Sequence, residues 1–142
     1  MNRLRLAVFL VLAILPRIAR PDEPVTFVII VNAARDAELT RQDLANIFMK
    51  RMTRWSDKRP INPVERFADS PLRAEFSRAI LHRSVDAMQA YWQQQIFSGR
   101  DIPPSERRSD AEVLEYVRTR AGAIGYVSSA TPTEGVYVVR WK

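Results

Sequence analysis

Apolar residues enter this chain in two patterns, continuous blocks and positions spaced at helical period, and the two alternate from the N-terminus onward. The block "VTFVIIVN" (25–32) is almost uninterrupted and rich in β-branched residues, the pattern of a strand buried on both faces, as in a parallel sheet. Thr40 and Asp43 then stand at capping-box spacing and open "RQDLANIFMK" (41–50), where Leu44, Ile47 and Phe48 make one apolar helical face. A basic loop, "KRMTRWSDKRP" (50–60), leads to "INPVERF" (61–67), a short strand interrupted by Pro63 and so expected at an edge or in an irregular segment.

Ser70 and Pro71 have the chemistry of an N-cap and a first helical position, and Leu72, Phe76, Ala79 and Ile80 follow at the spacing of a buried face. This register puts Arg73 in the first turn, where the helix dipole disfavours a cation by about 0.3–1 kcal/mol. A bound anion would remove the conflict, and so would exposure to water. A second helix begins at Ser84, with Val85, Met88, Tyr91 or Trp92, and Ile96 on one side, so that two amphipathic helices in succession cover the sheet. The stretch "FSGRDIPPSERR" (97–108) reads as a loop. Ser109 and Glu112 cap a helix over "DAEVLEYVRTR" (110–120) that stops at Gly122, and "AIGYVSS" (123–129) and "VYVVRW" (136–141) read as strands. Strands interleaved with helices predict an α/β fold, a layered sheet with flanking helices.

Residues 1–20 belong to neither pattern. Asn2, Arg3 and Arg5 precede the apolar run "LAVFLVLAIL" (6–15), which Pro16 breaks: the charged region and apolar core of a signal peptide. The segment holds four arginines and no acid, so the +6 charge of the 142 residues falls to about +2 for 21–142. So mild an excess argues against nucleic acid as a partner, which needs a sustained basic face. The cluster Lys50, Arg51, Arg54, Lys58 and Arg59 is expected to be a solvated loop with Trp55 packed beneath it. The chain has no cysteine, which rules out disulfides without fixing a compartment.

Three stretches taken in order, "LTRQDLANIFMKRMTRWSDKRPINPVERFADSPLRAEF" (39–76), "AYWQQQIFSGRDIPP" (90–104) and "GAIGYVS" (122–128), resemble the phosphate-binding proteins of ABC transporters. Ile47 and Phe48, Trp55, Arg66, Ser70 and the run from Gly122 to Val127 fill the places of that family's pattern. The resemblance implies one lobe of a type 2 periplasmic-binding-protein-like fold over residues 21–142 after a signal peptide at 1–20. It also implies an oxyanion site at Arg66 and Ser70, with the amides of Leu72 and Arg73 as neighbouring donors. Pro71 and Leu72 stand where the family has Gly-Thr, which removes a donor and a hydroxyl, and the second lobe has no counterpart here.

The chemistry-bearing residues otherwise point to binding and not to catalysis. His82, the only histidine, would lie about 18 Å along a continuous helix from Ser70, too far for proton transfer. One histidine and no cysteine give no zinc-site pattern, and no cofactor is implied. The expected function is therefore a non-enzymatic, exported solute-binding-like domain holding phosphate or another oxyanion weakly, in connection with phosphate transport. The alternative is a ligand-free interaction domain that keeps the lobe fold and contacts a membrane transporter or sensor protein. Because the apolar run is too short to span about 30 Å of hydrocarbon, the protein recovered from the periplasmic or secreted fraction is expected to have an intact mass lacking roughly the first twenty residues. A full-length mass in the membrane fraction would mean anchoring instead.

Overall fold

The structure, a computed structural model, describes residues 26–33 and 38–142. The signal segment expected at 1–20 lies outside the described residues. In chain order the elements are β1 (Phe27–Val31), α1 (Arg41–Phe48), β2 (Asn62–Arg66) and α2 (Pro71–Phe76), which runs on into a π-helical turn (Ser77–Leu81). After these come α3 (Val85–Phe97), β3 (Ser105–Arg107), α4 (Asp110–Thr119), β4 (Ala123–Ser128) and β5 (Tyr137–Val139). The strands form one mixed sheet in the order β3-β2-β4-β1-β5. Helices flank it on both faces, so the α/β layered architecture expected from the sequence is the one observed.

Period-2 alternation along the strands separates two cores. Ile29, Val31, Ile124 and Tyr126 face α1, α2, the π-helical turn and the start of α3, where Phe48, Phe76 and Ile80 are fully buried. Ile30, Val64, Ala123 and Val127 face α4 through Val113, Leu114 and Val117. Gly125 lets α4 lie close on this second face: a Cβ there would sit 2.7 Å from Val64 Cγ1 and 3.0 Å from Val113 Cγ1. Gly122, at φ +75°, turns the chain from α4 into β4, and a Cβ would fall 2.1 Å from Pro60 O. Trp55 is buried beside it and donates from Nε1 to Gly122 O at 3.1 Å.

Several expectations need correction. β1 is buried on both faces, but it pairs antiparallel with both β4 and β5. A continuous β-branched run reports that both faces are covered and carries no information about the direction of neighbouring strands. β2 is not at an edge; it lies between β3 and β4, parallel to both. Pro63 is tolerated because Asn62 N bonds to Gly122 O, immediately before β4, so by alternation Pro63 N faces the other side, where pairing with β3 begins only at Val64. β3 itself was expected as loop. α3 covers less than its pattern suggests: Met88 and Trp92 are buried, but Ile96 is 51% and Phe97 92% exposed.

The helix starts show which caps operate. Thr40 and Asp43 make the full reciprocal capping box of α1. Ser109 Oγ accepts from Glu112 N, while the Glu112 carboxylate reaches one residue further back, to Arg108 N, at 2.8 Å. Ser70 occupies the N-cap of α2 with extended backbone, yet its side chain makes no cap hydrogen bond.

Candidate functional site

The four residues expected to hold an oxyanion lie where β2 gives way to α2. Since side chains alternate along β2, Val64 and Arg66 point to the α4 face and Glu65 points to the α2 face. That alternation decides the pairing of both arginines.

Arg73 is neither solvated nor open to a ligand: it is 2% exposed, and its Nη2 lies 2.8 Å from Oε2 of Glu65, also 2% exposed. Its Nη1 donates to Arg66 O at 2.7 Å and lies 3.3 Å from Glu106 Oε1 on β3. The cation in the first turn of α2 is thus matched by a carboxylate presented from the neighbouring strand. Burial pushes the Glu65 carboxyl from its ordinary value of 4.5 up to about 7, Arg73 opposing the shift and Glu106 adding to it. Ser77, fully buried on the same helical run, has a hydroxyl without a partner, as does Nε of Arg73.

Arg66 turns the other way. Its Nη1 is ion-paired with Asp110 Oδ1 at the start of α4, and its Nη2 donates to Arg108 O at 2.7 Å. The second Asp110 oxygen accepts from Ser128 N at 3.0 Å and from Thr131 Oγ1 at 2.6 Å. Beneath this network the Arg66 amide donates to the Tyr126 hydroxyl at 3.3 Å, and burial raises the pKa of that phenol, keeping it protonated. Leu72 packs its side chain into the core at 4% exposure. The amides of Leu72 and Arg73 precede the first intrahelical bond, from Ala74 N to Ser70 O at 3.2 Å, and are left with no intrahelical acceptor.

Of the expected donors, then, the half-buried Ser70 hydroxyl and the two first-turn amides are uncommitted, while both guanidinium groups already have carboxylate partners. The sequence suggests Glu65 or Asp69 as a neighbouring acid for Arg66, but Glu65 pairs with Arg73, and neither Glu106 nor Asp110 is indicated as a partner of either arginine. The signal for the buried place of Glu65 is an acid alternating with apolar positions in "INPVERF"; Asp110 follows the Ser109 cap in a first turn, where an acid is favourable on local grounds alone and gives no sign of a distant partner. No group of three His, Cys, Asp or Glu side chains placed to hold a metal occurs among the described residues. His82 is exposed, in left-handed conformation just after the π-helical turn, on a groove it shares with Arg78, Arg83 and Asp86. In the basic loop Arg54 donates to Lys58 O, and Lys50 lies 3.5 Å from Asp101. No helix among the described residues is long and apolar enough to cross a membrane.

Comparison with known proteins follows the same lines. A family model described as a PBP superfamily domain matches residues 25–139. Comparison with curated protein sequences gives no match. Among solved structures, an ABC-type phosphate transport receptor from Vibrio cholerae superposes with a TM-score of 0.64 at 21% identity, over 81% of this chain and 45% of its own. PstS from Borrelia burgdorferi gives 0.65 at 17% identity, over 83% of this chain and 47% of its own. The chain thus spans less than half the length of either structure.

The raised Glu65 pKa makes a pH prediction. A carboxyl with a folded value above its unfolded one stabilises the fold fully below about pH 4.5, and that contribution is lost as pH rises through about 7. Denaturant unfolding of the protein and of Glu65→Gln between pH 4.5 and 8 is expected to show a falling component, at most about 1.4 kcal/mol per pH unit, that the glutamine variant lacks. Parallel profiles for the two proteins would contradict it.

Proposed function

The chain belongs to the PBP superfamily domain family, and on that footing we propose that it is an exported, periplasmic or secreted, non-enzymatic binding domain that holds phosphate or a similar oxyanion weakly. The observation that carries this reading is the likeness to an ABC-type phosphate transport receptor, in a chain with a free hydroxyl and two unpaired amides at the start of α2. The ligand would sit on the Ser70 hydroxyl and the Leu72 and Arg73 amides, with Arg66 turning from Asp110 to meet it. Arg73 contributes its amide alone, because its guanidinium is held by Glu65. With Ser70 only half-buried, an anion held there stays in contact with water, where charge-assisted bonds are screened. A dissociation constant near millimolar, about 4 kcal/mol of binding, follows.

A second reading has its own observation. Ile96, Phe97 and Ile102 are 51%, 92% and 63% exposed around the end of α3, a concentration of large apolar side chains that favours contact with another protein. In that reading the lobe is an interaction domain for a membrane transporter or sensor and needs no ligand.

Thermal unfolding in rising phosphate at matched ionic strength separates the two. On the binding reading the melting temperature climbs with dose. Ser70→Ala weakens that climb yet changes ligand-free stability by less than about 0.5 kcal/mol, since no cap bond is lost. An unmodified protein indifferent to phosphate up to tens of millimolar overturns the oxyanion reading and leaves the interaction domain.

A further inference from the structure

Three donors of different kinds converge on one carboxylate at the C-terminal ends of β2 and β4: the Arg66 guanidinium, the Ser128 amide and the Thr131 hydroxyl all meet Asp110. A guanidinium, a backbone amide and a hydroxyl are the groups from which proteins build receptors for phosphate, sulfate and carboxylate anions. Here the acceptor belongs to the chain itself. The Arg66 and Asp110 side chains are only 16% and 18% exposed, and Nε of Arg66 is buried without a partner, so the guanidinium has bonding capacity that its present contacts do not use.

We propose that Asp110 is a built-in competitor for the oxyanion site and the residue that sets its affinity: its carboxylate fills a receptor formed by Arg66, Ser128 N and Thr131 Oγ1. This rests on the reading of Arg66 as a ligand residue. An entering oxyanion must displace the carboxylate from Arg66 and then bear the repulsion of a like charge held nearby, and both effects weaken binding in the unmodified chain. With the carboxylate removed, the same three donors are open to phosphate. Asp110 lies at the first position of α4, where an acid also favours the helix dipole, so its removal carries a structural cost that must be measured apart from binding.

Calorimetric titration with inorganic phosphate, backed by circular dichroism to verify folding, tests the assignment on the unmodified protein, Asp110→Ala, Asp110→Asn, and Asp110→Ala combined with Thr131→Val. The expected result is phosphate binding at least tenfold tighter in Asp110→Ala than in the unmodified protein, a smaller gain in Asp110→Asn, and loss of most of the gain when Thr131 is also replaced. A folded Asp110→Ala that binds no tighter than the unmodified protein overturns the proposal. If Asp110→Ala fails to fold, Asp110→Asn decides, and no gain there overturns it equally. Binding in the unmodified protein without gain in the variants defeats the competitor alone; binding only in the variants defeats the weak-site reading of the unmodified chain and supports the competitor. No binding in any of the four defeats both.

Discussion

Two charges taken out of water, Arg73 and Glu65, fix how the first turn of α2 lies on β2, and the surroundings of the candidate site follow from that pair. Each ion alone would cost several kcal/mol to bury, so neither position tolerates loss of the other. The pair also spreads beyond itself. Arg73 reaches the backbone carbonyl of Arg66 and the carboxylate of Glu106, which joins α2 to both parallel strands at that end of the sheet. With Glu65 turned to the α2 face, strand alternation turns Arg66 to the α4 face, and its guanidinium meets Asp110 there. The two arginines that flank the start of α2 are thereby directed to opposite sides of one sheet.

This arrangement explains how much was legible beforehand. Local signals read well: the Thr40–Asp43 box, the apolar face of α1, the buried Trp55 under a basic loop, and β4 over "AIGYVS" all depend on neighbours in sequence or on composition of a short window. What depended on the sheet did not. β1 could be seen to be buried but not to be antiparallel, and β3 has only three polar residues, Ser105, Glu106 and Arg107, without any apolar alternation to betray it. Arg73 posed the right question, a cation in a first turn. Its answer lay eight residues back on the strand, visible only once β2 was known to run through Glu65 into an apolar layer.

The same pairing limits what the start of α2 can offer a ligand. Carboxylates of the chain itself hold both guanidinium groups near the start of α2. What remains uncommitted at the start of α2 is the Ser70 hydroxyl and the amides of Leu72 and Arg73. The chain spans less than half the length of the solved structures it superposes on, and its own fold brings the end of β2 and the start of α2 together. The exposed apolar end of α3 is a feature this scaffold does not require for its own stability, since neither core uses it.

The central claim is that Arg73 and Glu65 act as one unit that positions the site. A double-mutant cycle with Arg73→Met, Glu65→Met and their combination, read by denaturant unfolding at pH 8, measures it most directly. Each single replacement is expected to cost about 3–5 kcal/mol, Arg73→Met by leaving the Glu65 carboxylate buried without its cation and Glu65→Met by leaving Arg73 only the more exposed Glu106 as a counter-charge. The double variant should cost less than either single one, giving a coupling of several kcal/mol. Costs that add to within about 0.5 kcal/mol would show two independent side chains and contradict the account.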